Sequence, residues 1–137
     1  MNKIRYDIKL IKYISLFETL AGVNVKDCID TEPITFVVEE TQIGKAIGRN
    51  GANVKRLERV FNRKIKILEF NPDVLQFLKN LVYPIKADDM QIKDNTVIIS
   101  VRDNTSKGLL IGRESQNLKN TTQIAKRYFE IDGIKVV

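Results

Sequence analysis

Histidine is absent from these 137 residues. Its absence removes most catalytic triads, most zinc sites and an imidazole base that titrates near neutral pH. Cysteine occurs once, as Cys28. It has no partner for an internal disulfide and belongs to no CxxC pair, so a reducing, intracellular setting is expected. Cys28 lies in an apparent strand and reads as a small core or edge residue. No apolar run approaches the ~20 residues of a membrane span, and the N-terminus lacks a signal-peptide core. The expectation is a soluble, cytoplasmic chain with no membrane partner. Aromatic residues make up 7% of the chain and are scarce around the basic segments described next, so base stacking is expected to be modest.

What is present is apolar content of 43%, enough for a folded core. The length suits one medium domain or two small fused ones. The formal charge of +6 is unevenly spread. Between Gln42 and Lys66 stand eight Lys or Arg residues against one acid, Glu58. Between Thr105 and Tyr128 stand five, Lys107, Arg113, Lys119, Lys126 and Arg127, against Glu114. The first forty residues carry more acids than bases. Basic charge confined to two windows is the footprint of a polyanion-binding face.

Along the chain, Ile4, Ile8, Ile11, Ile14, Phe17 and Leu20 recur three to four apart and predict an amphipathic helix from Lys3 to Ala21, stopped by Gly22. Val23 to Thr31 and Ile34 to Glu39 read as strands around a Glu32–Pro33 turn. The apolar run Phe36–Val38 makes the second strand central and covered on one face. Thr41 is expected to cap a short helix in which Ile43 and Ile47 stack. Past Gly48–Gly51, a helix presents Val54, Leu57, Val60 and Phe61 inward, and Ile65 to Phe70 closes as a strand. Asn71 as N-cap and Pro72 at the first position start a helix with Val74, Leu75, Leu78 and Leu81 that Pro84 stops. Strands follow near Ile85–Ile92 and Thr96–Arg102 around Lys93–Asp94–Asn95. Asp103–Asn104–Thr105 caps a short helix; Leu118, Ile124, Ala125 and Tyr128 mark a longer one, and Ile134 to Val137 a last strand.

The order of elements repeats. Sliding the chain by 64 residues places Gly108 on Gly44, Ile111 on Ile47, Gly112 on Gly48 and Arg113 on Arg49, then Asn117 on Asn53, Leu118 on Val54 and Lys119 on Lys55. The chain is a tandem of two α/β units. Glycines let a backbone turn sharply and let another chain come close. In Gly48–Arg49–Asn50–Gly51 they display Arg49 and Asn50 at the tip of a turn suited to a phosphodiester backbone. The segment supplies neither the GxxxxGK[ST] of a nucleotide loop nor the GxGxxG of a dinucleotide fold. A plain helix–turn–helix corner with Gly48 at a C-cap predicts neither the cations nor the repeat.

Ile47–Gly48–Arg49–Asn50–Gly51–Ala52–Asn53–Val54 resembles the signature of KH domains, small α/β modules with a GXXG loop. The leading helix and hairpin resemble the prokaryotic type II arrangement. Two such units with only Asn71–Pro72 between them resemble the archaeal NusA-like family of transcription termination and antitermination factors. The resemblance implies an α+β fold of two tandem type II KH domains. Each is a small three-stranded sheet packed on one side by helices in the order α-β-β-α-α-β, over residues 1–70 and 71–137. The second loop, Gly112–Arg113–Glu114–Ser115, departs from the pattern. Ser115 replaces a glycine, which limits positive φ, and Glu114 puts a carboxylate where a phosphate would approach.

The resemblance further implies that about four nucleotides of single-stranded RNA lie along a groove. Ile43, Ala46 and Ile47 would form an apolar floor beside Gly44, and the strand containing Phe36 to Val38 the opposite wall. Backbone amides of Gly48 to Gly51, with Arg49 and Asn50, would hold phosphates. Lys45, Lys55, Arg56 and Arg63 would add longer-range attraction, while Arg59 and Lys66 read as solvated charges. Lys107, Gly108, Ile111, Gly112, Arg113 and Lys119 take the corresponding places in the second, weaker site. The implied partner besides RNA is the RNA polymerase elongation complex, with the nascent transcript bound to modulate termination, antitermination or elongation. A monomer without cofactor, metal site or catalytic residue is expected.

Three other functions compete. A ribosomal or ribosome-assembly KH protein would use the same chemistry in another process. A phosphate-handling enzyme is disfavoured: no histidine, nucleotide loop or converging acid cluster is visible, and Asp88–Asp89 face opposite sides of a predicted strand. A protein-interaction module would carry degenerate loops.

Overall fold

The structure is a computed structural model and describes residues 8–137; the expected helical start at Lys3 and Ile4 lies outside them. The chain divides into two compact units, one ending at Asn71 and the other running Pro72–Val137.

In the first unit, α1 covers Ile8–Ala21 and stops at Gly22, whose φ of 67° only glycine adopts freely. Glu18 then accepts from the Val25 amide at 2.9 Å and ties the helix to β1, Val25–Ile29. β1 runs antiparallel to β2, Ile34–Val38, with a register shift at Lys26; β2 runs parallel to β3, Ile65–Glu69, giving the order β1-β2-β3. Between β2 and β3 lie α2, Ile43–Ile47, a 3-10 turn over Arg49–Gly51, and α3, Ala52–Phe61. Phe36 anchors the core, with ring centroids 4.6 Å from Phe17 and 5.7 Å from Phe61, and Tyr13 lies 4.7 Å from Phe61. Truncating such a buried ring costs ~3–5 kcal/mol.

The second unit repeats this order. α4 is Val74–Val82, β4 Asp89–Lys93, β5 Thr96–Ser100, α5 Asn104–Ile111, a 3-10 turn Arg113–Ser115, α6 Gln116–Lys126 and β6 Gly133–Val136. β4 and β5 are antiparallel, β5 and β6 parallel, in the order β4-β5-β6. Phe77 takes the central place here, 5.5 Å from the Tyr128 ring and 5.4 Å from that of Phe129.

Several sequence expectations are corrected. α1 buries Leu10, Phe17 and Ala21, whereas Ile8 and Ile11 are 73% and 54% exposed; the buried stripe follows the aromatic core, and two isoleucines fall on its far flank. Val60 points outward, because Leu57 and Phe61 fill the contact from α3. β2 is buried on both faces, since Thr35 and Val37, opposite Phe36 in the pleat, are buried as well. Thr41 cannot cap α2: it sits at φ 71°, outside the extended backbone a cap needs, and Gln42 precedes the helix without a side-chain bond. α4 starts two residues later than expected, behind an extended Asp73 whose carbonyl accepts from Phe77. β4 starts at Asp89 rather than Ile85, because the Tyr83 and Ile85 amides still bond back to Lys79 and Val82 as the chain leaves the helix. The hairpin turn narrows to Asp94–Asn95, both at positive φ as a two-residue hairpin requires. For α5 the capping residue is Asp103, whose carboxylate accepts from the Ser106 amide at 2.9 Å and its hydroxyl at 2.7 Å.

Candidate nucleic-acid interface

α2 ends because the chain reverses at Gly48, with φ 80° and ψ 168°, a conformation reserved in practice for glycine. A Cβ there would stand 2.9 Å from the backbone nitrogen and the side chain of Asn53. Asn50 follows at φ 56° and Gly51 at φ 74°, and Gly51 opens α3. The Gly48 amide bonds to Gly44 O at 3.0 Å and the Gly51 amide to Gly48 O at 3.1 Å. Asn53 Nδ2 donates to Lys45 O at 3.0 Å, across the turn from α3 to α2. The amides of Arg49 and Asn50 head the 3-10 turn, where no carbonyl within the turn can accept them, and both side chains are exposed. Such a tip can take an anion on backbone N–H groups with a guanidinium beside it.

The structure sorts the eight cations between Gln42 and Lys66. Arg63 is turned back into the fold: its guanidinium lies 2.9 Å from Asp30 and 3.6 Å from Glu32, donates to Thr31 O at 3.0 Å, and is 19% exposed. Partial burial pulls its pKa down, but hydrogen bonds to Tyr13 and Asp30 and the charges of Asp30 and Glu32 outweigh this and raise it. The expectation that Arg63 attracts RNA is replaced by that of a clamp on the β1–β2 connection. Lys64 lies 3.9 Å from Glu58. Lys66 is half-buried on β3, where desolvation lowers its pKa, so it is not the solvated charge expected. Lys45, Arg49, Lys55, Arg56 and Arg59 remain, all exposed, and among the described residues none of them enters an ion pair.

The expected groove walls are revised. Ile43 and Ile47 are half-buried and reachable beside an open Gly44, but Ala46 is fully buried and is no floor. Phe36, Val37 and Val38 are 0% exposed in the central strand, beyond the reach of any ligand. The edge strand against which α2 packs is β3, with Ile67 and Glu69 half-buried on it.

The second turn has the same backbone. Gly112 takes φ 75° and ψ 174°, Glu114 φ 55° and Ser115 φ 61°. Ser115 therefore adopts the left-handed conformation it was expected to resist. At the matching Gly51 an added Cβ meets nothing within 4 Å, so the position needs a left-handed residue without needing an absent side chain. Asn117 Nδ2 donates to Leu109 O at 2.8 Å, as Asn53 does to Lys45. Neither asparagine was assigned a role from sequence, although the 64-residue match pairs them. Lys107 and Ile111 are half-buried on α5, Gly108 is open, and Arg113 and Lys119 are exposed. An open groove of about 430 Å³ runs from Ser115 past Leu118, Lys119, Thr122 and Lys126 to Gly133 and Ile134.

The KH domain family model matches residues 11–74, the span containing the first turn. A "Probable transcription termination protein NusA" of Methanocaldococcus jannaschii is 34% identical over the full chain, which covers 77% of that protein. One of the same name from Methanococcus vannielii is 38% identical over 98% of this chain and 80% of its own. The chain belongs to the archaeal NusA-like family of KH proteins. A solved structure, "Crystal structure of APE1850", superposes with a TM-score of 0.76 at 26% identity, covering 96% of this chain and all of the other. The match to the relatives extends through the second unit; with its identical element order and turn, the fold is two tandem KH domains. Among the described residues no three His, Cys, Asp or Glu side chains group to hold a metal ion, and no described helix is long and apolar enough to cross a membrane.

Proposed function

We propose that this chain is a non-catalytic, single-stranded RNA-binding transcription factor. It would hold nascent transcript at its two turns and modulate termination, antitermination or elongation by RNA polymerase. The observation that carries the reading is the twinned turn: two glycine-led reversals of one backbone geometry, each locked by an asparagine, each with an exposed arginine at its tip. Phosphates would rest on the tip amides and on Arg49 or Arg113, while bases lie over Ile43 and Ile47, or over Ile111, toward β3 and β6. Lys45, Lys55 and Arg56 in the first unit, and Lys107 and Lys119 in the second, would supply the salt-dependent share of affinity. The names of the relatives support a place in transcription rather than in the ribosome. The domain boundary is proposed at Asn71–Pro72, where the compact units divide.

The test replaces Arg49 and Asn50 by Asp, and separately Arg113 by Asp, and measures affinity for single-stranded RNA against salt. Loss in the first variant is expected, with a smaller loss in the second; unchanged affinity in both removes the reading. Capture of RNA polymerase rather than ribosomal subunits by the tagged protein checks the process.

A further inference from the structure

The unpaired cations of the first unit do not stop at the loop tip. Lys55 and Arg59 are four residues apart on α3 and Arg56 and Arg59 three apart, so the three share one face. That face is opposite Leu57 and Phe61, which are buried. Glu58, the sole acid in the basic window, is turned the other way: it accepts from the Ile65 amide at 3.0 Å and lies 3.9 Å from Lys64. Nothing on α3 therefore neutralises the strip. The fold does not require it either, because α6 carries Lys119, Asn120 and Gln123 at the matching positions, one cation in place of three.

We propose that the outer face of α3 is a second phosphate track, along which RNA flanking the nucleotides at Gly48–Gly51 lays its backbone on Lys55, Arg56 and Arg59. The proposal rests on the RNA-binding reading above and adds to it a path beyond the loop and a role for Arg59. Lys55 and Arg59 lie four residues apart on α3, about 6 Å along the axis, room for about two successive nucleotides at roughly 3.4 Å each. The exposed face carries no aromatic side chain, so the track follows charge and leaves sequence choice to the groove. It makes the first unit bind longer RNA disproportionately well.

The experiment uses the full chain carrying Arg113→Asp, so that the second loop does not supply a length effect. Labelled oligouridylates of 4, 8 and 12 nucleotides are titrated at several salt concentrations, with and without Arg56→Gln and Arg59→Gln together. Glutamine keeps nearly the helix propensity of arginine, and circular dichroism verifies the fold. The 12-mer to 4-mer affinity ratio is expected to fall about tenfold, and the logarithmic salt slope for the 12-mer by about 1.4, two phosphates at roughly 0.7 each. An unchanged ratio and slope overturn the track, including the case in which the strip serves an acidic protein. The loop variant Arg49→Asp/Asn50→Asp separates the two readings. If it weakens the 4-mer while the ratio is unmoved in the α3 variant, the track falls and the loop stands. If it leaves the 4-mer unaffected, both fall.

Discussion

Asn53 reaches back eight residues to hydrogen-bond the carbonyl oxygen of Lys45 at 3.0 Å, closing the first turn from behind. The bond joins the helix that leaves the turn to the helix that enters it, so the tip is held from outside as well as by its own Gly51–Gly48 bond. It also explains the first glycine: the space a Gly48 side chain would use is filled by Asn53. The second unit repeats the arrangement with Asn117 and Leu109, and an added Cβ at Gly112 would come within 2.6 Å of Asn117.

The two glycines of the first turn should therefore respond differently to substitution. Gly48→Ala meets Asn53 in a backbone conformation reserved for glycine and is expected to cost ~1–3 kcal/mol together with RNA affinity. Gly51→Ser enters open space at an ordinary left-handed conformation, as Ser115 does in the twin, and should cost about 1 kcal/mol with the turn intact. Asn53→Ala removes one hydrogen bond, worth about 1 kcal/mol, and should loosen the turn. Urea unfolding with an RNA titration on each variant measures all three. A Gly51→Ser variant as damaged as Gly48→Ala would contradict this account.

Arg63 offers a contrast inside the same basic window. Its partners are Asp30, Glu32, Tyr13 and the Thr31 carbonyl, so Arg63→Ala should destabilise the first unit by ~1–2 kcal/mol through groups left unpaired. The folded variant should lose less than about twofold in RNA affinity, against a several-fold loss for Arg49→Gln, because a cation already neutralised by carboxylates adds little salt dependence. Thermal unfolding and anisotropy on the same preparations separate the two effects.

These contrasts mark where sequence reading succeeds and where it stops. Element order, the tandem and both turns are legible, because periodicity, turn residues and the 64-residue repeat are local signals. The phase of α1 is not: Ile14 packs partly buried against the core while Ile8 and Ile11 lie on the exposed flank, and only packing around Phe17, Phe36 and Phe61 decides between them. Nor is the fate of each cation. Arg63 and Arg59 sit four apart in one basic run, and what separates them is Asp30, brought to Arg63 from a strand connection more than thirty residues earlier. The wall strand is not legible either: an apolar run identifies a central strand, and here that strand is buried on both faces.

The cap of α5 gives a pH test. Hydrogen bonds from the Ser106 hydroxyl and amide to its carboxylate hold the Asp103 pKa below its ordinary value of 3.8. A depressed pKa means that the folded form favours the charged carboxylate, so the stability it contributes is present above pH 3.8 and is lost as pH falls through the lower folded value. Asp103→Ala should lower the unfolding temperature at neutral pH, and the gap to the parent should close in acid. Asp103→Asn, which still accepts a hydrogen bond, should retain much of the stability with a flatter acid limb. A gap that persists unchanged below the folded pKa would show that the carboxylate charge is not its source.

The last test concerns the tip of the second turn, where Glu114 occupies the left-handed position that Asn50 holds in the first. The backbone there is competent, so the difference between the two sites reduces to charge. An exposed carboxylate beside a bound phosphate opposes binding by ~0.5–1 kcal/mol, about two- to fivefold in affinity. Glu114→Asn, made in a chain whose first loop is disabled by Arg49→Asp and Asn50→Asp, should tighten single-stranded RNA binding by that factor at low salt. Raising the ionic strength shortens the Debye length and should shrink the gain. If the variant binds no better at any salt, the second turn does not bring a phosphate to its tip, and what distinguishes the two sites is instead the exchange of Lys45 for an exposed Leu109. Leu109→Lys in the same background would then restore the affinity that Glu114→Asn does not.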